Sequence, residues 1–211
     1  MNNPGDYTEA NAWQYTLTPA LHDPRGLIET MGGFKAFEEW LDQFFTVQAP
    51  GANKHLGQEA LIGQYAHGNE PSHHIAYLYA YTHAPWKGHA LIHDISQRFY
   101  SDRPGGITGN DDCGQMGAWY VLSTLGMYPV VPASGTFVLG APQVRSANLQ
   151  LPNNKVLKIV ALNYGRGRTH ATRAILNGKA TNPLAMRYQD LIQGGRLEFR
   201  MAHPPAAAAL D

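Results

Sequence analysis

The spacing of apolar residues changes near residue 135, and this change limits the fold more than any other feature of the sequence. Before that point apolar residues recur at steps of three and four, as Phe34, Phe37, Leu41 and Phe44 do, which is typical of one face of an α-helix. After it the apolar runs are short, as in residues 136–139, which is typical of strands. The sequence therefore predicts an α+β fold in which helices come first.

The same change sets the predicted domain boundaries. Residues 1–135 are predicted to be mainly helical, and residues 136–203 to form a small, sandwich-like antiparallel β unit of about five or six strands. Asn177 and Gly178 predict a tight hairpin turn within that unit, because both residues tolerate the positive φ angles of a type I′ turn. Residues 204–211 are predicted to be a frayed tail.

Individual helices are predicted from start and stop signals as well as from spacing. Asp23 followed by Pro24 predicts a helix start, and Gly32 with Gly33 predicts its end. Further helices are predicted from apolar residues at helical spacing: Ile75, Leu78 and Tyr79; Leu91, Ile95 and Phe99; and Ala118, Val121, Leu122 and Leu125, ahead of Gly126.

The charge balance excludes several classes of function. The 211 residues include 16 Lys and Arg and 16 Asp and Glu, for a formal net charge of zero. A neutral chain offers no basic surface to nucleic acid or to an anionic membrane, so we expect neither partner. No stretch reaches the ~18 apolar residues that a membrane helix needs. The first residues lack the basic and apolar regions of a signal peptide.

The single cysteine and the histidines limit metal and redox chemistry. Cys113 is the only cysteine of the sequence, which excludes a disulfide framework and a multi-cysteine metal site. Acidic neighbours disfavour a reactive thiolate, so Cys113 is predicted to be a small buried residue. His89 and His93 lie four residues apart on a predicted helix and could hold zinc, but no third ligand stands at the usual spacing.

Three segments combine carboxylates with amides, imidazoles, glycines or aromatic rings at predicted helix entrances. They are residues 6–15, 67–74 and 109–116. Carboxylates and amides bind sugar hydroxyls, which both donate and accept hydrogen bonds, and aromatic faces stack on the C–H groups of a sugar ring. A glycosidase also needs two carboxyl groups, one protonated and one ionised. Calcium prefers oxygen ligands. These segments are therefore candidates for carbohydrate or calcium chemistry.

A structural role also fits two of these segments. Asp112 and Gln115 have the spacing of a capping box at a helix start, and so do Asp6 and Glu9. On spacing alone, capping is the favoured interpretation of these carboxylates.

Longer strings around the three segments resemble the motifs of glycoside hydrolase family 92. The string GNDDCGQMGAWYVLSTLGMYPV at residues 109–130 is similar to the family signature. HGNEPSHH at residues 67–74 resembles a second family motif, and EANAWQY at residues 9–15 resembles a third. The motifs are long, specific and in the family's order, and the similarity extends over residues 6–202.

The resemblance implies a fold, an activity and a cofactor. Members of the family are calcium-dependent exo-acting α-mannosidases that invert the anomeric centre, many of them on α-1,2-linked mannose. Their fold is an N-terminal β-sandwich followed by an (α/α)6 barrel with C-terminal β structure, so the helices here are expected to belong to such a barrel. A mannose-containing glycan is the expected substrate and Ca²⁺ the expected cofactor. A secreted or periplasmic location is expected for the full-length protein.

The resemblance also assigns roles to individual residues. Glu9 matches the acid that protonates the leaving group, and Asp112 matches the base that activates water. Asn69 and Glu70 match the segment around the calcium. The residues that match the surroundings of the sugar are Trp13, His67, His73, Asn110 and Gln115. Many family members have a second aspartate where Asn110 stands.

The resemblance covers only the C-terminal part of a family enzyme. The N-terminal sandwich and the first barrel helices are expected to be missing, so activity is expected to depend on those parts. Two other functions stay open: a non-catalytic remnant that binds mannose or calcium, and another (α/α) barrel enzyme, either a different glycosidase or a polysaccharide lyase. Release of free mannose, as opposed to binding alone, distinguishes an enzyme from a remnant.

Overall fold

The computed structural model describes residues 13, 16–18, 21–47, 61–152 and 154–206. The predicted catalytic acid Glu9 lies outside these ranges, as does the rest of the third motif apart from Trp13.

The helices begin and end near the signals in the sequence. They are α1 (Pro24–Thr30), α2 (Phe34–Thr46), α3 (Pro85–Phe99), α4 (Gln115–Thr124) and α5 (Tyr188–Leu191), with 3-10 helices at Glu70–Ser72 and Ile75–Tyr81. Asp23 caps α1 by accepting a hydrogen bond from the Gly26 amide at 3.0 Å. Pro24 occupies the first position of that helix, which confirms the predicted start.

The apolar residues predicted to share one face of a helix lie on α2 and are buried except at the first residue. Phe37, Leu41 and Phe44 are fully buried, whereas Phe34 is 42% exposed. Phe34 opens the helix, and its ring lies against the exposed His83 ring.

The predicted helix ahead of Gly126 is confirmed as α4, but the apolar residues that predicted it do not mark its buried face. The helix buries Met116, Trp119 and Ser123, while Val121 is 55% exposed and Ala118 is also exposed. The buried residues have helical spacing, but α4 is apolar on most of its sides. Periodicity therefore could not identify which side faces the core.

The strands form three sheets within the described residues. The strands are β1 (Leu61–Ile62), β2 (Tyr65–Ala66), β3 (Met127–Tyr128), β4 (Thr136–Leu139), β5 (Ser146–Gln150), β6 (Val156–Leu162), β7 (His170–Leu176), β8 (Lys179–Ala180), β9 (Met186–Arg187) and β10 (Gly195–Ala202). β1 pairs with β2, a three-stranded sheet has the order β3-β4-β9, and a five-stranded sheet has the order β5-β6-β10-β7-β8.

The five-stranded sheet is mixed, which corrects the prediction of an antiparallel β unit. β10 runs antiparallel to β7 but parallel to β6, with Leu197 opposite Ile159. A parallel pair needs a long connection between its strands. Here the chain leaves β6, forms β7, β8, β9 and α5, and then returns to place β10 between β6 and β7. The central position of β10 fully buries Leu197 and Phe199.

The β7–β8 hairpin confirms the predicted turn. Leu176 pairs with Lys179, and Asn177 and Gly178 between them have φ angles of 49° and 81°. Two successive positive φ angles are the pattern of a type I′ turn. The Asn177 side chain also accepts a hydrogen bond from the Arg196 amide at 2.7 Å, which ties the turn to β10.

Strand β4 joins the helical part of the chain to the β unit. Val138 packs in the hydrophobic cluster of the helical part, and Leu139 packs in the cluster under the sheets, because successive strand residues point to opposite faces. Leu122 of α4 contacts both clusters. Among the described helices, none has the length and apolar character needed to cross a membrane.

Gly126, which follows α4 at this junction, provides a stability test. Its φ is 82°, and a Cβ atom there would lie 2.8 Å from the Pro142 ring. We expect Gly126→Ala to lower the free energy of unfolding by more than the ~1–2 kcal/mol that a left-handed alanine costs by itself. Urea unfolding measures the change.

Gly135→Ala is the matched control for this substitution. Gly135 has a φ of 68°, but a Cβ there would meet no atom within 4 Å. Equal losses of stability in the two variants would contradict the steric argument.

Candidate active site

His67 is the centre of a buried hydrogen-bond network. Its ring has no exposed surface. The Tyr65 hydroxyl lies 2.8 Å from Nδ1, and the Tyr100 hydroxyl lies 2.7 Å from Nε2. Trp119 meets the ring edge-on, with 4.5 Å between ring centroids. Both ring nitrogens are thus bonded to tyrosine hydroxyls, and His67 lies beneath the surface of the site.

The partners of His67 fix the direction of its hydrogen bonds. The Tyr100 hydroxyl donates to the Met116 carbonyl at 3.0 Å, so the Tyr100 oxygen accepts from Nε2–H of His67. Nδ1 of the neutral ring then accepts from the Tyr65 hydroxyl. The network therefore runs from Tyr65 through His67 and Tyr100 to the first turn of α4.

His73 and Gln115 lie next to His67. The His73 ring stacks on the His67 ring at a centroid distance of 4.8 Å, and its Nε2 donates to the His67 carbonyl at 3.1 Å. Its Nδ1 accepts from the Gln115 amide nitrogen at 3.1 Å. The same nitrogen donates to the Tyr128 hydroxyl at 3.2 Å. Both side-chain N–H groups of Gln115 are therefore used, and the acceptor Oε1 is the side-chain atom left for a further hydrogen bond.

Two further hydrogen bonds fasten the 67–74 motif to other parts of the chain. The indole N–H of Trp119 donates to the His73 carbonyl at 3.0 Å. The His74 Nε2 donates to the carbonyl of Leu17 at 3.0 Å. The motif is thus tied to α4 and also to the N-terminal segment that carries the third motif.

The turn before α4 gives different roles to two adjacent aspartates. Asp111 accepts a hydrogen bond from the Gly117 amide at 2.8 Å, which caps α4. Asp112 is exposed and has a φ of 46°, and its carboxylate has no hydrogen-bond partner among the described residues. The capping-box interpretation of Asp112 and Gln115 is therefore wrong, because the capping carboxylate is one residue earlier.

The loops of two motifs lie against each other. A Cβ atom on Gly109 would come 3.6 Å from the Cα of Gly68. Asn110 follows Gly109 and is exposed. On the other loop, Asn69 is 7% exposed and Glu70 is half-buried at the start of a 3-10 helix. Asparagine and carboxylate oxygens of the two loops therefore belong to one region.

The structure gathers most of the site residues that the sequence indicated. The residues that it brings into this region are His67, Asn69, Glu70, His73, Asn110, Asp112 and Gln115. Trp13 is partly buried against α2, where its ring lies 5.4 Å from that of Trp40. Glu9 lies outside the described residues.

Burial keeps the histidines of this region neutral. Desolvation lowers the pKa of His67 to about 2 and the pKa values of His73 and His74 to about 4, because an imidazolium loses its hydration in the core. Burial also raises the pKa of Tyr65 and Tyr100 above the usual tyrosine range. At neutral pH the network around His67 therefore carries no charge of its own.

Sequence reasoning did not single out the two tyrosines that hold His67. Tyr65 lies two residues before His67, and residues two apart share one side of an extended chain, so alternation could have identified it. Tyr100 is far from His67 in sequence, and only the fold brings the two side chains together.

The expectation for the cysteine is corrected, and His89 has a partner other than His93. Cys113 is exposed and not buried, because it continues the left-handed turn of Asp112 with a φ of 59°. His89 contacts His170, with 3.0 Å between their Nδ1 atoms, and His93 is not part of this contact. Within the described residues, no three His, Cys, Asp or Glu side chains form a group suited to a metal.

The donor chemistry of the Asn69 and Glu70 region suits calcium. Asn69 and Glu70 are consecutive residues that carry an amide oxygen and a carboxylate, and their loop lies against the loop that carries Asn110 and Asp112. Calcium takes about six to eight oxygen ligands, and backbone carbonyls and water commonly complete the set. Zinc prefers nitrogen and sulfur ligands, which this pair does not offer.

The buried histidines predict an acid-sensitive fold. Their folded-state pKa values lie below 6.5, so the unfolded chain binds more protons below about pH 6.5, and the free energy of unfolding falls as the pH falls toward 4. Each histidine contributes up to about 1.4 kcal/mol per pH unit. We expect Tm to fall progressively between pH 7 and pH 5.

His74→Gln should reduce this slope of Tm against pH, because it removes one of the protons taken up on unfolding. His22→Gln is the control, since His22 is exposed, and it should leave the slope unchanged. A Tm that does not vary over this pH range would contradict the prediction.

The chain matches the model of the glycosyl hydrolase family 92 catalytic domain over residues 1–203. It is 26% identical over 203 residues to an uncharacterized secreted glycosidase of Arthroderma benhamiae, a match that covers 95% of this chain and 24% of that protein.

Solved structures of family 92 enzymes are also similar to this chain. A family 92 α-mannosidase from Bacteroides thetaiotaomicron is 37% identical with a TM-score of 0.84, over 94% of this chain and 26% of that one. A family 92 inverting mannosidase from the same species is 32% identical with a TM-score of 0.76, over 92% and 28%. The chain thus spans about a quarter of the length of these relatives. Because the family model covers nearly all of it, the chain belongs to glycosyl hydrolase family 92.

Proposed function

We propose that the chain supplies the base-bearing part of the active site of an inverting, calcium-assisted exo-α-mannosidase. The substrate would be a glycan that ends in α-linked mannose, with the α-1,2 linkage as the first candidate. The observation that carries the proposal is the exposed carboxylate of Asp112, which is not used for capping and lies in the turn next to the His73 and Gln115 pair.

Asp112 suits the role of general base. Its carboxylate is open to water and has no hydrogen-bond partner among the described residues, so it can accept a proton from an attacking water. The backbone on both sides is fixed, because Asp111 caps α4 and the Met116 carbonyl accepts from Tyr100. A base on a fixed turn keeps its position when substrate binds.

Glu9 is proposed as the acid that protonates the departing oxygen. The hydrogen bond from His74 to Leu17 supports this assignment, since it fastens the N-terminal segment to the 67–74 motif. In an inverting glycosidase the two carboxyl groups stand roughly 6.5–9.5 Å apart, which leaves room for the water. We therefore expect Glu9 and Asp112 to face each other across the mannose ring at such a distance.

The sugar contacts are proposed to come from the surface of the histidine network. Both side-chain N–H groups of Gln115 bond to His73 and Tyr128. Its Oε1 would therefore accept a hydrogen bond from a sugar hydroxyl. His73 fixes that orientation. His67 is fully buried and would act by positioning His73. Asn110 and Trp13 would complete the walls of the mannose site.

Asn69 and Glu70 are proposed as the protein ligands of calcium. When bound, the ion would supply positive charge that attracts sugar hydroxyls and favours a flattened ring. The role of the chain is to present these oxygens next to the loop of Asp112, which the contact between Gly68 and Gly109 supports.

We also propose that the site needs parts beyond this chain. In its relatives the matching segment is about a quarter of the protein. A β-sandwich and the remaining helices of an (α/α)6 barrel would supply the other walls of the site.

The relative from Arthroderma benhamiae is described as secreted, which supports an extracytoplasmic location for the whole enzyme.

Two neighbouring substitutions test the role of Asp112. Asp112→Asn should lower kcat for an aryl α-mannoside by ~10²–10⁴ with little change in Tm, since asparagine tolerates the left-handed turn. Asp111→Asn is the matched control and should weaken the helix cap, at a cost of about 0.5–2 kcal/mol in unfolding free energy, while most of the activity remains.

Hydrolysis is measured on the chain alone and on the chain joined to the remaining segments of its 37%-identical relative. Near-normal activity of Asp112→Asn would exclude it as the base. Mannose binding without any release of mannose in both proteins would instead favour the non-catalytic remnant.

Calcium should raise the Tm of the chain, because a ligand that binds only the folded state stabilises it. Glu70→Gln should abolish this shift, since it removes a carboxylate ligand. Glu29→Gln removes an exposed carboxylate on α1 and is the control. Thermal melting with added CaCl₂ or EDTA measures the effect. A shift that persists in Glu70→Gln would rule out Glu70 as a ligand.

A further inference from the structure

A cavity outside the candidate active site lies between helix α3 and the five-stranded sheet. Its volume is about 420 Å³, within the ~300–1,000 Å³ of typical ligand sites. Trp86 and His89 of α3 form one side, His170 of β7 forms the other, and the buried Phe199 ring lies beneath. None of the proposed catalytic or calcium-binding residues that the structure describes lines this cavity.

The pair of histidines in this cavity has a defined protonation pattern. His89 Nδ1 faces His170 Nδ1 at 3.0 Å and accepts from the Ala171 amide at 3.4 Å. An imidazole nitrogen that accepts a hydrogen bond carries no proton, so Nδ1 of the neutral His89 ring is its unprotonated nitrogen. His170 Nδ1–H therefore donates to it.

This pattern leaves the Nε2 atom of His170 as a hydrogen-bond acceptor. Burial lowers the pKa of His170, so the ring is neutral at neutral pH. The Trp86 ring stands edge-on to His170 with 6.3 Å between centroids. Neither the Trp86 indole N–H nor His170 Nε2 has a hydrogen-bond partner among the described residues. One donor and one acceptor are thus available beside apolar walls.

We propose that this cavity is a second carbohydrate-binding site, which takes a neutral hexopyranose unit of a glycan. Adjacent sugar hydroxyls can accept from the Trp86 indole N–H and donate to His170 Nε2, while the C–H face of the ring packs on the indole. Arg173 is the only ionised side chain among the described lining residues, and it is exposed. The site therefore binds a sugar without the carboxylates that cleavage requires.

Saturation-transfer NMR with methyl α-D-mannopyranoside tests the site on the full chain. Trp86→Leu removes the indole N–H and its flat face, and His170→Phe removes the acceptor but keeps a ring. Each should weaken binding about tenfold or more, equivalent to ~1.4 kcal/mol. His93→Phe is the control, because His93 lies on the same helix outside the cavity. Asp112→Asn should leave this binding unchanged.

Three results would overturn the proposal: wild-type affinity in both cavity variants, loss of all binding in Asp112→Asn, or no saturation transfer to the folded wild-type chain. Melting curves establish that each variant is folded, and His170→Phe decides the outcome if Trp86→Leu does not fold. Binding that depends on Trp86 together with unaltered hydrolysis in Asp112→Asn would support this site while excluding Asp112 as the base.

Discussion

The site depends on the His67 imidazole, which is buried between two tyrosine hydroxyls. The hydroxyls of Tyr65 and Tyr100 form hydrogen bonds with its two nitrogens. The Tyr100 hydroxyl also donates to the Met116 carbonyl in the first turn of α4. A buried polar group that loses its partner costs about 1–3 kcal/mol. The linked bonds therefore hold the 67–74 motif and the turn of Asp112 in one arrangement.

The turn before α4 shows how structural and chemical roles are divided. The helix needs a cap, and Asp111 provides it. The next carboxylate, that of Asp112, is not needed for the cap; its residue has a left-handed backbone and is exposed. Non-glycine residues adopt this conformation at a cost of about 1–3 kcal/mol, and such strain persists where the surroundings fix it. Here the surroundings are the helix cap and the bond from Tyr100.

The β unit contributes to the site as well as supporting it. Tyr128 of β3 accepts from Gln115 and so helps to orient a proposed sugar contact. Val138 and Leu139 of β4 point into the two hydrophobic clusters. The helical part and the sheets therefore cannot shift past each other without breaking both clusters. The cavity of Trp86 and His170 lies at this same junction.

The sequence by itself determined the features that depend on neighbouring residues: the order of helices and strands, the Asp23 cap, the turn at residues 177–178 and the polar motifs. The tertiary structure decided the parallel pairing of β10 with β6, the buried face of α4 and the contact of Tyr100 with His67. Spacing reports only which residues share a side of one element. It does not specify the neighbour of that side when the element is apolar on most of its sides, as α4 is, or when the partner is distant in the chain. The spacing of Asp112 and Gln115 also could not show that Asp111 is the cap, because that depends on the backbone of the turn, in which Asp112 has a positive φ and Asp111 does not.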